Sequence, residues 1–190
     1  MQQGYSRRGF LKAATSAGGV AWLAAHWPAA LAAAQDAATA RDAAAAFELL
    51  TAAEGADFAA IASQIFPSDE RPGANEAGVT YFIDSALRGF MSGAADDLRR
   101  GLRALNKKGG ARFATLALDA QTALLKSEEG SPFFGTVRFM TIAGMFAMPA
   151  YGGNRDHAGW KLLGFEHQMA WTAPFGHYDA QATAKLGAKR

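Results

Sequence analysis

Apolar positions recur at intervals of three and four residues from about residue 49 to residue 148, so the body of the chain reads almost entirely as helix. Thr51-Ala52-Ala53-Glu54 forms a capping box, in which the Thr hydroxyl accepts from the backbone N–H of Glu54 while the Glu carboxylate reaches back. It opens a helix with Phe58, Ile61, Ala62, Ile65 and Phe66 on one side, stopped by Pro67. Ser68 to Ala74, rich in Pro, Asp and Gly, is a loop. A second helix is expected from about Asn75 to Phe90, with Val79, Phe82, Ile83 and Leu87 at core spacing. Gly93 separates it from a third, around Ala94 to Lys107, whose Leu98, Leu102 and Leu105 face inward and which Gly109-Gly110 ends. Asp119 is expected to cap a short helix through Leu124, Leu125 and Lys126. Ser131-Pro132, an N-cap followed by Pro at the first helical position, is the strongest start signal in the chain.

The helix that follows, Pro132 to about Met148, is apolar nearly all round, which makes it the hub of a bundle or one side of an interface; a central core helix is expected. A membrane span is not expected, because Arg138 would lie inside it and the stretch is short. Past Pro149 the periodicity stops. Tyr151-Gly152-Gly153-Asn154 is a turn that uses glycine's access to positive φ. The segment beyond Phe165 has scattered aromatics, Trp171, Phe175 and Tyr178, without a period, and aromatic anchors in such a tail suit a chain laid across another protein. The expected fold class is all-α: a small helical bundle over residues 49–165 with an irregular, aromatic-containing C-terminal segment over 166–190. Residues 35–48 form an Ala/Asp leader with little apolar surface to offset ordering, and are expected to be flexible.

The N-terminus changes the picture. Ser6-Arg7-Arg8-Gly9-Phe10-Leu11-Lys12, followed by an uncharged stretch from Ala13 to Gln35, reads as a twin-arginine export signal over residues 1–34. The translocase that reads such signals moves folded proteins, so their owner holds a cofactor or travels with a partner that does, and the expected location is periplasmic. Ala32-Ala33-Ala34 suits cleavage before Gln35; retention as a tether is the alternative, disfavoured by the Ala/Gly-rich stretch with His26 and Pro28. Loss of Arg7, Arg8 and Lys12, with no acid before residue 35, takes the formal net charge from +2 to −1. The basic cluster Arg99, Arg100, Arg103, Lys107 and Lys108 follows Asp96 and Asp97 at helical spacing and reads as a solvated face, so no nucleic-acid role is expected. The absence of cysteine excludes covalent c-type haem, ordinary iron–sulfur ligation and disulfides within this chain. Asp156 beside His157 is a candidate base with its orienting group, and His157, His167 and His177 are candidate metal ligands. Their spacing of ten does not put three imidazoles on one helix face, so no catalytic, cofactor-binding or metal residue is assigned.

Pro72-Gly73-Ala74-Asn75-Glu76-Ala77-Gly78-Val79 with Tyr81-Phe82-Ile83-Asp84, then Ala150 to Asn154 and Gly159-Trp160-Lys161-Leu162-Leu163-Gly164-Phe165, resemble the gluconate 2-dehydrogenase subunit 3 family over roughly Leu49 to Phe165. The leader and the Ser131-Pro132-Phe133-Phe134 helix start fit it as well. The resemblance implies a small, cofactor-free subunit of a periplasmic sugar, sugar-acid or glucoside dehydrogenase. In such complexes a glucose-methanol-choline-type flavoprotein holds FAD, a c-type cytochrome with haem c takes the electrons, and the small subunit supplies the export signal and stabilises the large one. Interface candidates are Tyr151, Gly152, Gly153, Asn154, Trp160, Trp171, Phe175 and Tyr178; alternatively the glycine turn and Trp160 close the bundle's own core. A free-standing helical periplasmic binding module is the alternative function.

Overall fold

Caps and prolines set most helix boundaries in the structure, a computed structural model that describes residues 37–167 together with Gly176 and Gln181. Helix α1 is Ala52–Ile65, α2 Val79–Arg88, α3 Ala95–Gly109, α4 Leu118–Lys126, α5 Pro132–Phe146 and α6 Ala158–Leu162, with short 3₁₀ turns between them. Residues 37–42 are also helical. The chain is all-α, as expected. The expected C-terminal tail, with Trp171, Phe175 and Tyr178, and the N-terminal signal, with Ser6, Arg7, Arg8, Phe10, Leu11 and Lys12, lie outside the described residues.

At the head of α1 the capping box forms as expected: Thr51 Oγ1 accepts from Glu54 N at 3.1 Å, and Thr51 N donates to Glu54 Oε2 at 2.9 Å. Ser131 Oγ likewise accepts from Phe134 N at 3.1 Å to start α5. Two expected boundaries differ. Helix α2 begins at Val79 rather than near Asn75, because Glu76 binds Ser68 Oγ at 2.6 Å and Gly73 N at 3.0 Å, and Gly78 adopts φ 71. These contacts wind residues 75–78 into a turn. Asp119 does not cap α4; Ala117 is the N-cap, without a side-chain bond, and Asp119 lies in the first turn, where a negative charge favours the helix N-terminus.

Helix α5 packs against α1, α2, α3 and α6, which confirms it as the hub. Val137, Met140, Thr141, Gly144 and Met145 form its inner face, against a core that includes Phe58, Ile61, Ile83, Leu98 and Phe113. Among the described residues its other face is only partly covered: Phe139 is 54% and Ile142 37% exposed. Polar residues brace the core from inside. Buried Asp57 accepts from Asn106 Nδ2 at 3.0 Å and from Ala114 N at 2.9 Å, fastening α1 to α3 and to the Phe113–Thr115 turn. Buried donors and acceptors need such partners because each would otherwise lose its water without compensation.

Residues 37–50 do not trail away as the flexible leader that composition suggests. Ala37 and Leu50 are buried, and the Arg41 side chain is 6% exposed. Composition weighs apolar area alone; this segment is fixed chiefly by hydrogen bonds. Asp84, buried in α2, accepts from Glu48 N at 3.1 Å, Leu49 N at 3.0 Å and Leu50 N at 2.8 Å. The Tyr81 hydroxyl donates to Ala45 O at 3.0 Å, and the Phe47 ring lies 5.0 Å from that of Tyr81.

Candidate partner interface

The turn after α5 is built on backbone contact. Pro149–Tyr151 is one 3₁₀ turn, Gly152 follows with φ 94, and Asn154 with φ 47. A Cβ on Gly153 would collide with the Gly144 carbonyl oxygen, and one on Gly159 with that of Met145, so the chain passes directly over the α5 backbone. Asn154, with no exposed surface, staples the crossing: its Nδ2 donates to Ala147 O at 2.8 Å and its Oδ1 accepts from Gly159 N at 2.9 Å. The end of α5 and the start of α6 are thereby satisfied by one side chain.

Trp160 lies over the same end. It is 7% exposed, and its indole N–H donates to Phe146 O at 2.8 Å. The His157 ring stacks on it at 4.9 Å and 11°, Phe165 meets it edge-on at 5.3 Å, and His167 lies at 5.2 Å. Two of the three histidines are thus brought together against the Trp160 indole. His177 lies outside the described residues. Among the described residues no group of three or more His, Cys, Asp or Glu is placed to hold a metal. Asn154, Asp156 and His157 all hold positive φ without being glycine, a cluster of strained backbone at about 1 to 3 kcal/mol each. Arg155 N, donating to Ala77 O at 3.0 Å, and His157 N, donating to Asn154 O at 3.0 Å, help hold that geometry.

Of the sequence candidates, then, Gly152, Gly153, Asn154 and Trp160 are interior and close the bundle's own core, while Tyr151 is half-exposed. Trp171, Phe175 and Tyr178 lie outside the described residues. Four residues without a site role in the sequence reading matter locally: Arg41, Tyr81, Asp84 and Arg155. A solitary arginine in an alanine-rich stretch, and an Asp one position after core-facing Ile83, were the available signals.

The accessible apolar surface lies elsewhere. Phe139 and Ile142 are neighbours on one face of α5, three residues apart, and Met148 (49% exposed) and Leu163 (67%) lie beyond that helix. Near α6 a cleft of about 450 Å³ is lined by Arg71, Arg155 and Lys161 together with Glu76 and Asp156. It adjoins a smaller one, about 290 Å³, that shares Arg71, Pro72 and Leu162 and is walled by Phe66, Phe146 and Leu163. Phe139 and Ile142 are thus a small, partly exposed apolar pair on the outer face of the central helix.

No match was found among curated proteins or among solved structures. The family model described as gluconate 2-dehydrogenase subunit 3 matches residues 52–166, from the first turn of α1 through the glycine turn to just past Phe165. That is more than half of the 190 residues and takes in every helix of the bundle. The chain therefore belongs to the gluconate 2-dehydrogenase subunit 3 family.

Proposed function

We propose that this chain is the small, non-catalytic subunit of an exported flavin-dependent sugar, sugar-acid or glucoside dehydrogenase, to which it brings the twin-arginine signal and whose large subunit it stabilises. The observation that carries this is the family match over residues 52–166, which take in α1 to α6. The family's name is that of one subunit of a multi-subunit dehydrogenase. Two further features support the reading. A leader of the type read for folded cargo sits on a cysteine-free chain, which cannot itself carry thioether-bound haem, in keeping with a partner that does the redox chemistry. The exposed Phe139 and Ile142 give the hub helix a second face for a large partner to cover. In this reading a glucose-methanol-choline-type flavoprotein holds FAD and oxidises the substrate, a c-type cytochrome takes the electrons, and the assembly acts in the periplasm.

The test is purification of the tagged full chain from its host. Co-purifying flavin and haem absorption bands are the expected result; a colourless single chain with a bound small molecule would favour a binding module. Changing Arg7 and Arg8 together to Lys is expected to leave the dehydrogenase activity in the cytoplasm. Undiminished periplasmic activity of that double variant would remove the export role.

A further inference from the structure

The segment that joins the N-terminal arginine pair to the body is held in two parts of different character. Residues 45–50 are fixed by α2: Tyr81 holds Ala45 O, and Asp84 gathers the N–H groups of Glu48, Leu49 and Leu50. Residues 37–42, one helical turn, are fixed by the glycine turn. Arg41 Nη1 donates to Gly153 O at 2.7 Å and to Pro149 O at 3.3 Å, its stem lies over Gly78, and Ala37 packs on Gly152. The grip is mutual, since Arg155 Nη2 donates to Arg41 O and its Nε lies 3.4 Å from Asp42. Between the two parts sits Ala44 with φ 48, a strained non-glycine position at the junction.

These partners lie 108 to 114 residues apart in sequence, so the first part cannot dock until the chain has been made and folded through Arg155. A buried guanidinium depends on its acceptors. With the turn unmade, Arg41 keeps its bonds to neighbouring Asp42, from Nε at 2.8 Å and Nη2 at 3.1 Å, but loses both carbonyls at Nη1, and leaving water there would be unfavourable. We infer that residues 37–44 form a latch, hinged at Ala44, that closes only on the finished glycine turn. In an incompletely folded chain the latch is open, and an alanine-rich linker lies exposed to proteolysis between the leader and the body. That cleavage there would strip the export signal from a defective chain rests on the function proposed above; the latch itself does not.

Arg41 is a trypsin site, and its burial makes cleavage a direct report of opening. In the full-length protein as purified, Arg155→Gln is expected to raise the rate of cleavage after Arg41 at least tenfold, with cleavage after Arg99 unchanged. Gly153→Ala, which pushes the turn off α5, is expected to do the same; should it fail to accumulate, Arg155→Gln decides. In the reciprocal experiment, Arg41→Gln is expected to raise amide hydrogen exchange at residues 37–45 and at 150–157 together, while Leu49 and Leu50 keep their protection. Equal cleavage after Arg41 in Arg155→Gln and the unaltered protein, or release of residues 37–45 with no change in the turn, would overturn the latch. Neither readout involves Arg7 or Arg8, so failure of the export assignment leaves this result standing, and the reverse holds as well.

Discussion

Asn154 supplies a donor and an acceptor at once from a left-handed backbone, a combination few other residues offer in its place. Asn154→Ala removes both bonds, leaves Ala147 O and Gly159 N buried without partners, and puts a Cβ-bearing residue without compensation at φ 47. Losing two buried hydrogen bonds with their desolvation penalty is expected to cost about 2–4 kcal/mol, read as a lower urea midpoint. Asn154→Asp keeps the acceptor but sets a charge against the Ala147 carbonyl, so it is expected to be no better. Acid sensitivity also belongs to single residues. The hydrogen bond from Arg41 is the main cause holding Asp42 below the usual carboxylate range; burial opposes it, and the Arg41 and Arg155 charges assist. Burial pushes Glu54 up, but the Thr51 N–H and hydroxyl and Arg99 outweigh it and hold it low. The Ser68 hydroxyl leads the groups that lower Glu76. A folded-state pKa below the unfolded one means that the unfolded chain binds more protons, so the stability these groups add is present above about pH 4 and is lost as pH falls through their folded values. The urea midpoint is therefore expected to stay flat between pH 7 and 5 and to drop below 4. Thr51→Val, which deprives Glu54 of the hydroxyl, is expected to shrink that drop. All three groups are wet enough for solvent to screen part of the effect.

Elements were legible in the sequence to different depths, and the difference follows from what holds each one. Helices α1, α3 and α5 declare themselves through caps and through apolar residues at three- and four-residue spacing, because their stability is local plus one buried stripe. The late start of α2 was hidden: it depends on Glu76 binding the loop behind it, which periodicity does not register. The segment at residues 37–50 was hidden more completely, since its anchors are carbonyls and one carboxylate on elements distant in sequence. The glycine turn and Trp160 are visible as a motif that suits either a partner interface or the bundle's own core, and Gly153 and Gly159 serve contact within the chain. Glycine at a close approach looks the same in sequence whether the neighbour is this chain or another. Trp160→Ala is accordingly expected to destabilise the subunit itself, by about 3–5 kcal/mol as for other buried aromatic truncations, seen in thermal unfolding of the purified chain.

At the scale of the whole molecule the bundle has an inside that is complete and an outside that is not. Its hub helix buries Val137, Met140 and Met145 while presenting Phe139 and Ile142 to solvent, although a helix serving only this chain's core would gain by carrying polar residues there. A partly exposed apolar pair adds less to the isolated fold than core residues do, because much of Phe139 and part of Ile142 stay in water in the folded chain as in the unfolded one. Phe139→Ser with Ile142→Ser is therefore expected to lower the unfolding free energy of the subunit by about 1 kcal/mol per substitution, well below the cost of Trp160→Ala. In the complex proposed above the same pair would be desolvated, and truncating apolar anchors at the centre of an interface typically costs about 2 kcal/mol or more each. The expected outcome is a small shift in the melting curve of the subunit alone together with loss of the proposed flavoprotein partner from tagged pull-downs. Trp160→Ala supplies the contrast, lowering the melting temperature first and partner recovery only as a consequence. If the double variant retains its flavin band at full yield, the outer face of α5 is not where the large subunit sits, and the apolar cleft beside Phe66, Phe146 and Leu163 becomes the surface to alter next.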